Sequence, residues 1–342
     1  MRAVAIAEDR TLYPTDVEER APGANEVRVD VAFCGICGSD IHLRHSPAVA
    51  PGSVMGHEFS GTVGEVGGSV KGFEAGDRVA VYPFAPCGEC PNCARGDHHV
   101  CMQAAASGLG LGMNPGGYAE SVVVEESMLV RLPEGLSLEH GALIEPLAVA
   151  VHAIAIGEAG AGDACAVIGA GPIGVMTALA LRASGVERVV VVERNEQRQE
   201  RMRSFGIEAV GLDDVHMRVM DALGGEPPDV VFECAGNPAA PALATELVRS
   251  RGIVVLLGVL EEPVEISQLV LIIKEAQMRA SFAYTRRDFE DAARLLVQGR
   301  LPADDLITGT APLEQAQEMF ERLESPVTRD VKILLTPSPA TA

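Results

Sequence analysis

Residues 86–101, PCGECPNCARGDHHVC, put Cys87, Cys90, Cys93 and Cys101 into one short loop, separated by two, two and seven residues. That spacing lets a single loop wrap four thiolates around a tetrahedral ion, and an all-sulfur set suits zinc. Pro86, Gly88, Pro91 and Gly96 supply the turns that a tight metal loop requires. Every donor position is filled by cysteine, so none is left open for a substrate; a closed site of this kind is structural. A ferredoxin-type iron–sulfur cluster has a shorter final spacing and a following proline, which this stretch lacks.

A second set of donors is more dispersed. The stretches FCGICGSDIHLRHS, GHEFSGTVGEVGGSV and LIEPLAVAVHA carry Cys37, Ser39, Asp40, His42, His57, Glu58 and Glu145. Sulfur, imidazole and carboxylate together form a mixed ligand set, and three protein donors with one open position are the usual form of catalytic zinc. Cys34 makes a CxxC pair with Cys37, a redox spacing, but the metal reading already uses Cys37, which leaves Cys34 as a small buried residue. His45, His98 and His99 read as loop surface, His152 as a packing residue, and Cys165 and Cys234 as core.

A third stretch, ACAVIGAGPIG, runs from an apolar strand into a glycine turn and then a helix-like run. Gly169, Gly171 and Gly174, with Pro172 and Ile173 between them, form the GxGxxG pattern. The first glycine permits the tight turn, the second lets the backbone approach a pyrophosphate, and the third lets helix pack on strand. The strand RVVVVE follows and ends on Glu193, where a carboxylate can accept from both adenosine ribose hydroxyls and repel a 2′-phosphate. NAD is therefore expected. Arg194 and Arg198 are close enough to pair with a 2′-phosphate, so NADP is the alternative.

These residues need elements to position them. Before Glu145, short β-branched runs such as EVRVDVAF, SGTVGEVG, DRVAVYP and AESVVVEE alternate with Gly, Pro and Asp turns, which predicts an antiparallel, barrel-like domain. From residue 163 the texture changes to apolar runs separated by helical patterns, which predicts buried parallel strands. The tail carries a helix-like RRDFEDAARLLVQG, a last strand VKILLTP, and a frayed end over 336–342.

The run Gly56-His57-Glu58, with Gly61, Gly67 and Val70 in register, resembles the fingerprint of the zinc-containing alcohol dehydrogenases of the medium-chain dehydrogenase/reductase superfamily. CGICGSD resembles that family's first metal-ligand motif, and the four-cysteine lobe has its structural-zinc spacing. The likeness extends over essentially the whole chain, and Glu145 resembles the polyol branch of sorbitol, butanediol and threonine dehydrogenases. The resemblance implies an α/β protein. A GroES-like antiparallel β-barrel catalytic domain over 1–148 would carry the zinc lobe at about 86–102. A Rossmann doubly wound parallel sheet would cover 149–285, and 286–342 would return to the first domain.

The same resemblance implies two zinc ions per chain and NAD in a cleft with the substrate. Cys37 and His57 would ligate the catalytic zinc, with Glu145 or Glu58 as the third donor; both carboxylates would exchange with water during turnover, and Glu58 is counted among the catalytic residues. Ser39 would take the substrate's proton and His42 would pass it to solvent, while Asp40 would orient the loop or a ligand. Such an enzyme moves a hydride between a secondary alcohol or polyol and NAD. The stretch between Asp40 and Gly56 is shorter than in butanediol-type relatives, which bears on the substrate entrance. Two rivals are an NADPH-preferring carbonyl reductase and a non-catalytic zinc- and nucleotide-binding protein.

Bulk properties narrow the partners. The chain has 342 residues and a formal charge of −21. A surface of that sign repels nucleic-acid phosphate and anionic lipid, so neither nucleic acid nor membrane is expected as a partner. No apolar run approaches a membrane span, and acidic residues near the N-terminus argue against a secretory segment. A cytoplasmic protein is expected, where disulfides are disfavoured. The resemblance adds a homodimer or homotetramer acting on a small alcohol, polyol or ketone.

Overall fold

The structure is a computed structural model and describes residues 1–260, 262–325 and 328–337; the end expected to fray lies, from 338 on, outside the described residues. Two units make up the chain. The first comprises Met1–Pro146, Thr285–Gly299 and the described residues from Ala303 on; the second comprises Leu147–Tyr284 with Arg300–Pro302.

In the first unit, β1 (Arg2–Ile6) pairs antiparallel with β2 (Leu12–Asp16). The run EVRVDVAFCG becomes β3 (Glu26–Gly35), whose Val27, Val29 and Val31 are buried while Asp30 is exposed. That alternation is the period of a strand with one face on a core. On β3 pair both β4 (Glu58–Val66) and, on its other side, β6 (Ser121–Glu125). The strand β5 (Arg78–Val81) links β4 to β7 (Leu129–Arg131). Phe59, Val63, Val79 and Val81 join the valines of β3 in one core.

The second unit is a six-stranded parallel sheet of β8 (Ala164–Ile168), β9 (Arg188–Val192), β10 (Glu208–Val210), β11 (Val230–Glu233), β12 (Ile253–Leu256) and β13 (Gln277–Ala280). The order is β10-β9-β8-β11-β12-β13. All five residues of β8 are buried, as a strand covered on both faces requires. Strand order reverses beside β8, and in such sheets the crevice at the carboxyl ends of the strands there binds ligands.

The last two strands return to the first unit. β14 (Ile307–Pro312) runs parallel to β15 (Lys332–Thr336), and β15 runs antiparallel to β3, with Leu334 opposite Gly35. The seven-stranded sheet is thus β14-β15-β3-β4-β5-β7, with β6 also on β3. The parallel pair departs from a purely antiparallel expectation. Its cause is the helix Ala316–Glu324 between the two strands, since parallel neighbours need a crossover. Among the described residues no helix is long and apolar enough to cross a membrane.

Candidate metal centres and active site

The four-cysteine lobe is built from a short helix, Pro91–Ala94, and the loops around it. Cys101 Sγ lies 3.5 Å from Cys87 Sγ and 4.0 Å from Cys90 Sγ, and Cys87 Sγ lies 3.9 Å from Cys93 Sγ. Four sulfurs about 2.3 Å from a common zinc stand about 3.8 Å apart, so the set fits that ion. The backbone N–H of Cys93 points at Cys90 Sγ, and those of Cys87 and Gln103 point at Cys101 Sγ. These donors favour thiolate: the Cys90 thiol is pulled down to about 6, chiefly by the Cys93 N–H, and Cys101 is lowered by the Cys87 N–H. Burial pushes Cys93 the other way, to about 12. The buried centre of the lobe is Cys93, Cys101 and Ala104, with Cys87 and Cys90 packed against them. Among the described residues no large aliphatic side chain joins that centre, so a bound ion would add cohesion there.

The mixed site forms where β3 ends. Cys37 is the N-cap of the helix Gly38–Leu43, and its N–H donates to Asp40 Oδ2 at 2.9 Å. The Tyr118 hydroxyl donates to the same oxygen at 2.7 Å. The other oxygen, Oδ1, faces His57 Nδ1 at 3.3 Å, and neither atom has a hydrogen-bond partner. The two orphans meet as the carboxylate and imidazole of a metal-binding pair do, with Nε2 left toward the ion. Ser39 Oγ donates to Cys37 Sγ at 3.1 Å and lies 3.3 Å from His57 Nε2. Burial disfavours charge on His57, but Asp40 and Cys37 outweigh it and raise the imidazole well above its ordinary range.

Cys37, His57 and Glu58 offer donor atoms within 4.8 Å of one another, and with the four cysteines they are the two such groups among the described residues. Glu58 opens β4 and is fully buried. Lys332 Nζ donates to both its oxygens, at 2.7 and 2.6 Å, and to the Ile36 carbonyl at 3.0 Å. Desolvation opposes charge on this buried lysine, yet Glu58, Cys37 and Glu145 keep its pKa raised. Glu145 is buried in the first turn of the helix Ile144–Gly157 and stands outside the trio. His42 is exposed, with Nδ1 2.6 Å from the Gly38 carbonyl. A carbonyl can only accept, so Nδ1 is the donor in that contact.

In the second unit Gly169 follows β8 with φ +97°, a conformation that favours glycine. A Cβ on Gly174 would stand 1.9 Å from the Gly169 carbonyl oxygen, whereas one on Gly171 would meet nothing within 4 Å. The loop therefore packs tightly against its own helix, Pro172–Ala183, and stays open at Gly171, the N-cap. A dinucleotide pyrophosphate fits there, against the first turn's free N–H groups. Glu193 is buried just past β9, its carboxylate accepting from the N–H of Ala170 and of Asn195, at 2.8 and 2.9 Å.

Comparison with known proteins decides the family. The alcohol dehydrogenase GroES-like domain matches residues 23–134 and the zinc-binding dehydrogenase domain matches 172–298. The (R,R)-butanediol dehydrogenase of Bacillus subtilis is 34% identical, over 99% of this chain and 100% of its own. This chain belongs to the zinc-containing alcohol dehydrogenases of the medium-chain superfamily. Two solved structures agree. One is a zinc-binding dehydrogenase from Sinorhizobium meliloti bound to NADP, with a TM-score of 0.89, 31% identity, and 98% and 99% of the two chains covered. The other is an alcohol dehydrogenase from Escherichia coli CFT073 complexed with NADH, with a TM-score of 0.91, 30% identity and the same coverage. The dehydrogenase is accordingly a zinc-dependent, NAD(P)-linked oxidoreductase acting on CH–OH donors.

Two residues of the dehydrogenase's site escaped the sequence reading. Tyr118 sits in a Gly-Gly-Tyr run with no polar residue beside it, and its role comes from its phenol, which reaches Asp40 and the Gly35 carbonyl. Lys332 begins a strand whose other four residues are buried, and its partner Glu58 lies 274 positions away. A lysine opening an apolar strand was the available signal. Cys34 and Cys165 are fully buried, as core residues should be, and His45 is exposed.

Proposed function

We propose that this dehydrogenase interconverts a secondary alcohol carrying a neighbouring hydroxyl and its ketone, with NAD as the preferred partner. The observation that carries the reading is Ser39 Oγ, in contact with both Cys37 Sγ and His57 Nε2 at a site with an incomplete protein donor set. Zinc at this site would supply a Lewis acid that lowers the alcohol's pKa, and the nicotinamide would supply the hydride acceptor. Cys37 and His57 hold the ion, with Glu58 or Glu145 as third donor, and Asp40 keeps the His57 ring in place. Ser39 takes the hydroxyl proton and His42, with Nε2 free at the surface, releases it to water. The four-cysteine lobe binds the second, structural zinc.

Gly169, Gly171 and Gly174 seat the pyrophosphate, with Pro172 and Ile173 starting the helix behind it. Glu193 disfavours a 2′-phosphate through its charge, and this supports NAD. Exposed Arg194 and half-buried Arg198 support the second reading, an NADPH-preferring carbonyl reductase. We assign residues 1–148 to catalysis, 149–285 to nucleotide binding and 286–342 to the return segment. The expected assembly is a cytoplasmic homodimer or homotetramer. Exposed Leu269, Ile272 and Ile273 lie close in sequence to β13, the edge strand of the parallel sheet, and support association of copies there.

The test is a panel of vicinal diols, sugar alcohols, simple secondary alcohols and L-threonine, followed by nicotinamide absorbance with NAD and with NADP. The highest kcat/KM is expected for a diol or polyol with NAD. A large preference for NADP transfers the assignment to the reductase. No turnover with any of them, in protein holding two zinc ions per chain, refutes the reading.

A further inference from the structure

Glu233 ends β11, is 1% exposed, and has no part in the chemistry described so far. Its Oε1 accepts from the N–H groups of Ala235 and Gly236, at 2.8 and 2.9 Å. Just past β12, the N–H groups of Leu257 and Gly258 donate to its backbone carbonyl at 2.9 Å each. Burial pushes the carboxyl's pKa up, against the N–H groups of Gly236, Ala235 and Gly258, which pull it down. Glu233 thus binds both the loop after its own strand and the loop after the neighbouring one. These loops are in close backbone contact. A Cβ on Gly258 would stand 2.4 Å from the Gly236 nitrogen and 2.5 Å from Glu233 Oε2. A Cβ on Gly169 would stand 2.9 Å from Ala235 Cα. The loops after β8, β11 and β12 therefore close on one another at the carboxyl ends of the strands, with no room for a side chain at Gly169 or Gly258.

In the sheet, β9 and β11 flank β8, the strand beside which the order reverses. A dinucleotide binds across such a crevice, one half to each side. Glu193, just past β9, marks the adenosine side and ties its loops in a similar way, accepting from Ala170 and Asn195. The other half of the cofactor then has to lie over the loops that Glu233 binds. We infer that Glu233 is a positioning residue for the nicotinamide half: it holds residues 235–236 and 257–258 in the shape that seats that half. Being buried, its carboxylate acts through those backbone groups and not by touching the cofactor. This rests on the proposed seat of the pyrophosphate at Gly169, Gly171 and Gly174.

The experiment compares two ligands on the zinc-loaded full chain. NADH is followed by its own fluorescence. ADP, which keeps the adenosine and both phosphates but lacks the nicotinamide riboside, is followed by calorimetry. Glu233→Ala leaves two backbone donors without their acceptor and should weaken NADH about tenfold, with ADP within about twofold of wild type. Glu233→Gln keeps an oxygen for the Ala235 and Gly236 N–H groups and should stay within about threefold of wild type for both ligands. The inference falls if Glu233→Ala weakens NADH and ADP alike, if it leaves NADH unchanged, or if Glu233→Gln is as impaired as Glu233→Ala. Should Glu233→Ala not fold, Glu233→Asp decides. Its carboxylate is withdrawn by one methylene and should weaken NADH about threefold with ADP unchanged; any other pattern overturns the inference. Wild type that binds neither ligand counts against the pyrophosphate seat itself, a separate outcome.

Discussion

At the scale of single residues, the site gathers donors of different chemistry around one imidazole. Asp40, Glu58 and Cys37 lie around His57, and Lys332 pairs with Glu58. The raised His57 pKa has a defined sign. In metal-free protein the group stabilises the fold fully below its unfolded pKa of about 6.5, and that contribution is lost as pH rises through the raised folded value. As a ligand His57 would have to lose that proton, so metal affinity would rise with pH over the same window. The expected result is that metal-free wild type and His57→Asn differ most in Tm near about pH 6 and converge as pH increases. Convergence in the opposite direction would mean that His57 is neutral in the metal-free site. The cysteines and the histidine of the two candidate metal groups were legible in the sequence because their chemistry is rare and their motifs are local. The Lys332 contact was not, because strand pairing rather than sequence proximity creates it.

At the scale of elements, the helix Gly38–Leu43 carries Cys37, Ser39, Asp40 and His42 on little more than one turn, while β4 follows directly on His57 and opens with Glu58. The four-cysteine lobe has a shorter scaffold, the helix Pro91–Ala94 with Cys90 as its N-cap, and otherwise loops. This difference predicts different failures. Cys37→Ser leaves the β3–β4 core intact and should abolish turnover with little change in Tm. Cys93→Ser removes one of the few buried groups in its lobe and should lower stability by about 2–4 kcal/mol, on the scale of a lost structural metal or large core defect. Thermal melts beside kcat measurements separate the two, and matching behaviour would dissolve the distinction between working and structural metals. The parallel strands were legible as continuous apolar runs; their order came from the structure. The parallel pairing of β14 with β15 was not, because a crossover helix can serve either unit and its packing partner is absent from local sequence.

At the scale of the whole molecule, 48 acidic residues face 27 basic ones, a formal charge of −21. Even if every basic side chain formed an ion pair, the excess carboxylates would have none. Most of the pairs seen are exposed, such as Arg2 with Glu120 or Arg251 with Glu275, and exposed pairs contribute about 0–1 kcal/mol each. Salt weakens these attractions and the net repulsion together, so the sign of its effect tells which is larger. The excess is spread along the chain, and repulsion among like charges acts over distances comparable with the Debye length of about 10 Å at 0.1 M salt. The buried Glu58–Lys332 pair is screened far less than surface charges are. With both metal sites kept loaded, raising sodium chloride from about 20 mM to about 300 mM should therefore increase Tm by a few degrees, about 1–2 kcal/mol in a chain of this size. A decrease would show that the surface pairs outweigh the repulsion and that this acidic surface is held together by its few cations.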